Sequence, residues 1–248
     1  MLGTIVNAVA VVGGGLIGAS VGSAIKEKYK HTIMQGIGLS VMVIGLSMAL
    51  EGLSLERPGG FRGEMLLLMI FSLVIGGIIG EWIDIEEKLD RLGGRIQKIF
   101  QKEGESSTFS QGFVMASLIY CVGSMAIIGS IQEGLQHNSS TLFAKSVLDG
   151  VSAIVFASEL GLGVAFSAVC VFAYQGAITL LASHLQPLLA DWVVTEMSAV
   201  GGILIIGIGF TILEMKKFKV GNLLPSIFIP LLYSVVYPAI LSLMKIIR

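Results

Sequence analysis

The chain has 248 residues, of which 54% are hydrophobic and only 13% charged, with a mean hydropathy of +0.87 and a formal net charge of -1. Soluble globular domains carry about 25% charged residues, whereas long apolar runs mark membrane spans. The balance excludes a water-soluble domain and indicates an all-α, polytopic membrane protein of about seven or eight segments, forming one integral domain over residues 1–248 with the lipid bilayer as its partner.

Segment one runs from about Leu2 to Ile25. No Lys or Arg precedes it, so the charged start of a cleavable signal is missing and a retained helix is expected. Gly14, Gly18 and Gly22 lie four apart, and Gly15, Ala19 and Ser23 repeat the spacing one residue on. Such small-residue faces let helices approach closely where water cannot drive them together. A phosphate cradle is excluded, because no strand precedes the glycines and no P-loop Lys follows them.

Segment two, about His31 to Leu53, carries Gly38, Gly45 and Gly52 at heptad spacing and ends near Glu51. The turn SLERPGGFRG follows, and segment three, Glu64 to Ile83, holds Gly76, Gly77 and Gly80. Its GGIIG repeats the GGLIG of Gly14 to Gly18, which suggests duplication.

After Trp82 the pattern changes. Ile85, Leu89, Leu92, Ile96 and Ile99 recur at three- and four-residue steps with Lys88, Arg91, Arg95, Lys98 and Lys102 on the polar side. This predicts a cytoplasmic amphipathic helix over 84–102, lying on the lipid surface or binding a partner.

Segment four, Gly112 to Ile131, ends in SIQEGL, which matches MALEGL at Met48 to Leu53; GFTILE at Gly209 to Glu214 is a looser echo. Repeats are common in transporters, although glycine-rich helices also resemble one another by chance. Loops rich in Lys and Arg mark the cytoplasmic side. The loops at Lys26 to Lys30, Lys88 to Lys102 and Lys216 to Lys219 are therefore expected inside, with both termini outside.

The chain must then leave the outside near Thr141 and return there near His184. Two short segments satisfy this, about Phe143 to Glu159 and Leu162 to Ser183, with a turn at Leu160 to Gly163. The first is near the lower length limit for spanning, so a re-entrant loop stays open. Segment seven, Glu196 to Met215, and segment eight, Asn222 to Met244, complete the bundle; Pro225, Pro230 and Pro238 predict a broken last helix.

The polar residues inside this hairpin are the candidate site. Asp149, Ser152, Phe156 and Glu159 share one helical face, and Gln175 and Thr179 share another. Carboxylate, hydroxyl and amide oxygens suit a hard cation or a protonated amine, though whether a metal binds stays open. A mid-segment carboxylate is costly without a purpose, which favours Asp149 as an ion or proton group; Lys145, four residues before it, could instead pair with it and make both structural. Ser152, Ser167 and Thr179 also suit ordinary helix stitching. Asn7 and Asn222 are weaker candidates, more typical of helix caps.

Cys121 and Cys170 lie inside apolar segments as packing residues. His31, His137 and His184 are scattered, with no HExxH, metal cluster or nucleophile elbow, so neither an enzyme nor a cofactor is expected, and no nucleic acid. The glycine faces would suit a homo-oligomer as well as packing within one chain.

The stretches VVGGGLIG, GEWIDIEEKLDRLG, YCVGSMAIIGSIQEGL, KSVLDGVSAIVFASELGLGVAFSAV, YQGAITLL and NLLPS together resemble the bacterial membrane family catalogued as domain of unknown function 554. The resemblance implies a multi-pass protein of the bacterial cytoplasmic membrane and supplies no substrate or catalytic residues. The sequence supports two readings: a carrier or channel for a small ion or solute, and a non-transporting scaffold or sensor acting through 84–102.

Overall fold

A computed structural model describes residues 1–22, 27–54, 63–88, 91 and 108–237. The described residues are helical, without strands. We number α1 (Leu2–Gly22), α2 (Glu27–Ser54), α3 (Glu64–Ile83), α4 (Thr108–Val122), α5 (Ser124–Gln136), α6 (Ser140–Leu160), α7 (Gly163–Leu180), α8 (Asp191–Ile212) and α9 (Val220–Tyr237). Seven of these are long and apolar enough to cross a membrane; the pair α4 and α5, bent by 57° at Gly123, has the length and composition of a broken span or a re-entrant loop.

Side chains are distributed as a lipid solvent requires. Ile5, Val9 and Leu16 on α1, Leu66, Ile70 and Ile78 on α3, and Val147, Val151 and Val155 on α6 are exposed, while glycine, alanine and serine line the contacts between helices. Within its apolar span α8 is 72% buried, against 28% for α2 and α3, which makes α8 the central helix.

The glycine faces find the neighbours that their spacing calls for. A Cβ at Gly14, Gly18 or Gly22 would run into the backbone carbonyls of Gly150, Ile154 and Ser158, so α1 lies directly on α6. The second face behaves likewise: a Cβ at Gly15 would come 2.6 Å from the backbone of Ala165 on α7. Gly38, Gly45 and Gly52 line the contact of α2 with α8, and Gly76 and Gly80 that of α3 with Ser226 and Asn222 on α9. The GGLIG and GGIIG copies thus do the same job with partners of opposite direction. Helix α6 runs parallel to α1, whereas α9 runs antiparallel to α3.

Between Ser140 and Leu180 the chain forms two helices of 21 and 18 residues, each of spanning length, which favours two crossings over a re-entrant loop. Gly161, at φ 69°, makes the turn between them, a backbone shape that a side chain would strain. Helix α7 therefore returns to the end of the bundle that carries Met1, and α8 starts there. Glu214 consequently lies at the opposite end from Glu51 and Glu133, so its echo of their motif is not a third equivalent position.

Several boundaries differ from those the sequence predicts. Segment four is two helices, because the chain is extended at Gly123 (φ -68°, ψ 147°). Segment seven starts at Asp191 and not at Glu196. The last span opens with a turn at Val220–Leu223 and a 3-10 turn at Leu224–Phe228 around Pro225, a broken start as the prolines predict. The predicted helix over 84–102 is helical at 85–88 and at 91; residues 89–90 and 92–102 lie outside the described residues, as does 238–248.

Candidate functional site

Three helices meet around Asp149. Its carboxylate accepts two hydrogen bonds from Lys145 Nζ, at 2.6 and 2.8 Å, one turn earlier on α6. Asn7 Nδ2 of α1 donates to the same carboxylate at 3.0 Å and to Gln175 Oε1 of α7 at 3.3 Å. The side chains of Lys145 and Asp149 are only 6% and 8% exposed, and the Lys145 ammonium stands 5.9 Å from the centre of the Tyr120 ring. The ammonium therefore occupies the place that an external cation was expected to take, and the pair is neutral overall.

This pair is there because α1 can come so close. Glycines at positions 14, 15 and 18 draw α1 into the crevice between α6 and α7, and Asn7, two turns earlier, is carried onto Asp149. Two amide atoms remain without a partner among the described residues: Asn7 Oδ1, an acceptor, and Gln175 Nε2, a donor. The cluster thus combines a neutral ion pair with one spare acceptor and one spare donor.

The polar row continues towards the Met1 end. Thr4 Oγ1, one turn from Asn7, is 3.5 Å from Thr179 Oγ1 and donates to Glu133 Oε2 at 2.8 Å. Glu133 also accepts from Gly3 N at 2.5 Å and Ser139 Oγ at 2.8 Å, with the Met1 amine 3.2 Å away. It is 2% exposed and sits on the free amides of the α1 N-terminus, where a negative charge is stabilised.

The remaining candidates are elsewhere or act locally. Ser152 Oγ donates to the Asp149 backbone carbonyl at 3.0 Å and lies within hydrogen-bond distance of Tyr120 OH at 3.3 Å, a stitch between α6 and α4. Glu159 shares the helical face but stands about 15 Å further along the axis at 1.5 Å per residue, so it does not join Asp149. Asn222 is at the other end of the molecule. There it accepts from Glu86 N at 2.7 Å and donates to Glu81 Oε2 at 2.6 Å, while Gly221 N donates to Glu86 at 2.6 Å. Asn222 thus fastens the chain after α3 to the start of α9. Lys219 Nζ pairs with Glu81 at 2.5 Å, and this carboxylate holds the ammonium above its ordinary range.

A residue that the sequence pattern does not single out is Glu196, which is 0% exposed and whose two carboxylate oxygens have no hydrogen-bond partner among the described residues. Starting the helix at Asp191 would have placed it inside a span. A cavity of about 250 Å³ opens at the Lys219 end among Glu86, Gln111, Met115, Ile208, Lys217 and Phe218, apart from the Asp149 cluster. Among the described residues no group of three or more His, Cys, Asp or Glu side chains could hold a metal. Cys121 and Cys170 are free thiols.

The family model described as "Protein of unknown function (DUF554)" matches residues 2–235. The chain belongs to this family. It is similar to the "Uncharacterized membrane protein YdfK" of Bacillus subtilis (strain 168), at 34% identity over 230 residues, 93% of this chain and 94% of the relative. It is also similar to the "Uncharacterized protein YqgA" of Escherichia coli (strain K12), at 27% identity over 242 residues, 96% of this chain and 98% of that protein. No solved structure matches it.

Proposed function

We propose that this family member is a secondary carrier or channel for a small ion or solute, with its site at the junction of α1, α6 and α7. The observation that carries the reading is the buried Lys145 and Asp149 pair, flanked by the spare acceptor of Asn7 and the spare donor of Gln175. Ionisable groups at such depth are expensive and characteristic of pathways and relays. Because the pair is neutral, it suits a small polar solute with its own donor and acceptor better than a bare cation. Such a solute would bind by exchanging hydrogen bonds with the pair and would leave without stranding a charge. The basic loops support an orientation with the Lys219 end in the cytoplasm and both termini outside, in the bacterial inner membrane.

The test is flux into proteoliposomes, or uptake of labelled metabolites by cells that overproduce the protein. Because Asp149→Asn strands the Lys145 ammonium, flux is compared at matched amounts of folded protein, and most of it is expected to be lost; full transport by that variant removes Asp149 from the mechanism. A second reading has one observation in its favour. Glu86 and Asn222 tie the start of the amphipathic stretch to α9, which would suit a scaffold or sensor working through 84–102. In that case replacing Lys98 and Lys102 abolishes function, while Asp149→Asn is silent.

A further inference from the structure

Glu196 lies one turn inside α8, four residues past Trp192, in the contact with α2. A Cβ added at Gly52 would come 3.3 Å from Glu196 Oε2 and would press on the Ala199 side chain, so the two helices are closed tightly over the carboxyl group. The other titratable groups near this end of α8 and on the helices packed against it are otherwise placed. Glu64 of α3 accepts from Tyr233 of α9 at 2.7 Å, Glu133 of α5 is held by α1, and Glu51 of α2 is exposed. Tyr120 and Cys121 of α4 are deeper in the bundle, and Asp191 starts α8 itself. Among the described residues no cation pairs with Glu196 and no donor reaches it. An isolated carboxylate in such surroundings is far too costly to persist, whereas the neutral acid is tolerable.

We propose that Glu196 is a proton-binding site, carried as the neutral acid while α2 and α8 are closed over it, and that loss of the proton parts their Met1-side ends to admit water. Gly52 is then the small residue that allows the closed state, and the seam between these helices is a proton-dependent latch. The assignment does not depend on the carrier reading, since none of its readouts uses transport.

The test uses the purified full-length chain in lipid. Infrared spectra of the wild type should contain the carbonyl stretch of a neutral carboxyl group that weakens as pH rises and is missing from Glu196→Gln; identical spectra for the two proteins overturn the assignment. An apolar carbodiimide, across whose C=N bond the O–H of a neutral carboxyl group adds, should label Glu196 ahead of Glu133 and Asp149, with labelling falling at alkaline pH. Protection by sodium at constant pH would instead make this a metal-cation site and overturn the proton. Hydrogen exchange tests the opening. Peptides covering 48–54 and 192–199 should lose protection with rising pH beyond the intrinsic chemical effect in the wild type and not in Glu196→Gln. Protection that tracks only the intrinsic effect in the wild type refutes the latch.

Discussion

Among the buried carboxylates of this bundle, Asp149 and Glu196 stand under opposite regimes. Asp149 is surrounded by donors, with the Lys145 ammonium at 2.6 Å and the Asn7 amide at 3.0 Å, and it is balanced in charge. Glu196 is as deeply buried and has no such donor among the described residues. The difference follows from what the neighbouring helix brings. Helix α1 delivers an amide to Asp149, whereas α2 delivers only Gly52 to Glu196, a residue without a side chain. A partnered carboxylate can stay ionised at depth, while an unpartnered one must take a proton.

The largest expected effect breaks the first half of this contrast. Lys145→Met strands the Asp149 charge and should destabilise the protein by about 3–5 kcal/mol, the usual cost of removing one partner of a buried pair. Adding Asp149→Leu should restore much of the loss, and thermal unfolding in detergent of the single and double variants measures it. If the double variant is no better than the single, the pair is not the coupled unit that its geometry implies.

Next in size is Asn7→Leu, which leaves Asp149 with Lys145 but removes the bridge to α7. A loss of about 1–3 kcal/mol is expected from stranding Gln175 and one carboxylate lone pair, again read from thermal unfolding. Glu196→Gln probes the other half and should behave quite differently. Because it replaces a neutral acid by an amide of similar shape, it should change stability little at acid pH, and it should stabilise the protein progressively as pH rises and the wild type ionises. A uniform loss at every pH would place Glu196 in the same regime as Asp149.

The smallest effect is expected at the exposed pair of Lys219 and Glu81, whose side chains are 62% and 58% exposed. Exposed pairs contribute little. Since the ammonium titrates above its ordinary 10.5, the contribution is present in full below that value and disappears as pH rises through the raised one. Lys219→Ala should therefore shift the unfolding temperature slightly at neutral pH and not at all at strongly alkaline pH.

Much of the site is legible in the amino-acid order. Asp149, Gln175 and Asn7 stand out as polar residues in apolar runs, and Lys145, four residues from Asp149, can be named as its partner because helical spacing is local. Their convergence is not legible there, since Asn7 and Asp149 are 142 residues apart in the chain. Glu159 shares Asp149's face but not its depth, because a helical face is a stripe and a site is a point on it. Glu196 is hidden by a helix boundary that the sequence pattern sets five residues late.

What the sequence by itself determined is the set of spans and their small-residue seams, because apolar length and the spacing of glycines are properties of each helix alone. The tertiary structure decided which seams close on which, parallel for α1 with α6 and antiparallel for α2 with α8 and α3 with α9. A glycine face specifies only that some helix comes close. Which one arrives, and whether it brings Asn7 to a carboxylate or the bare backbone of Gly52, depends on how all the spans pack at once.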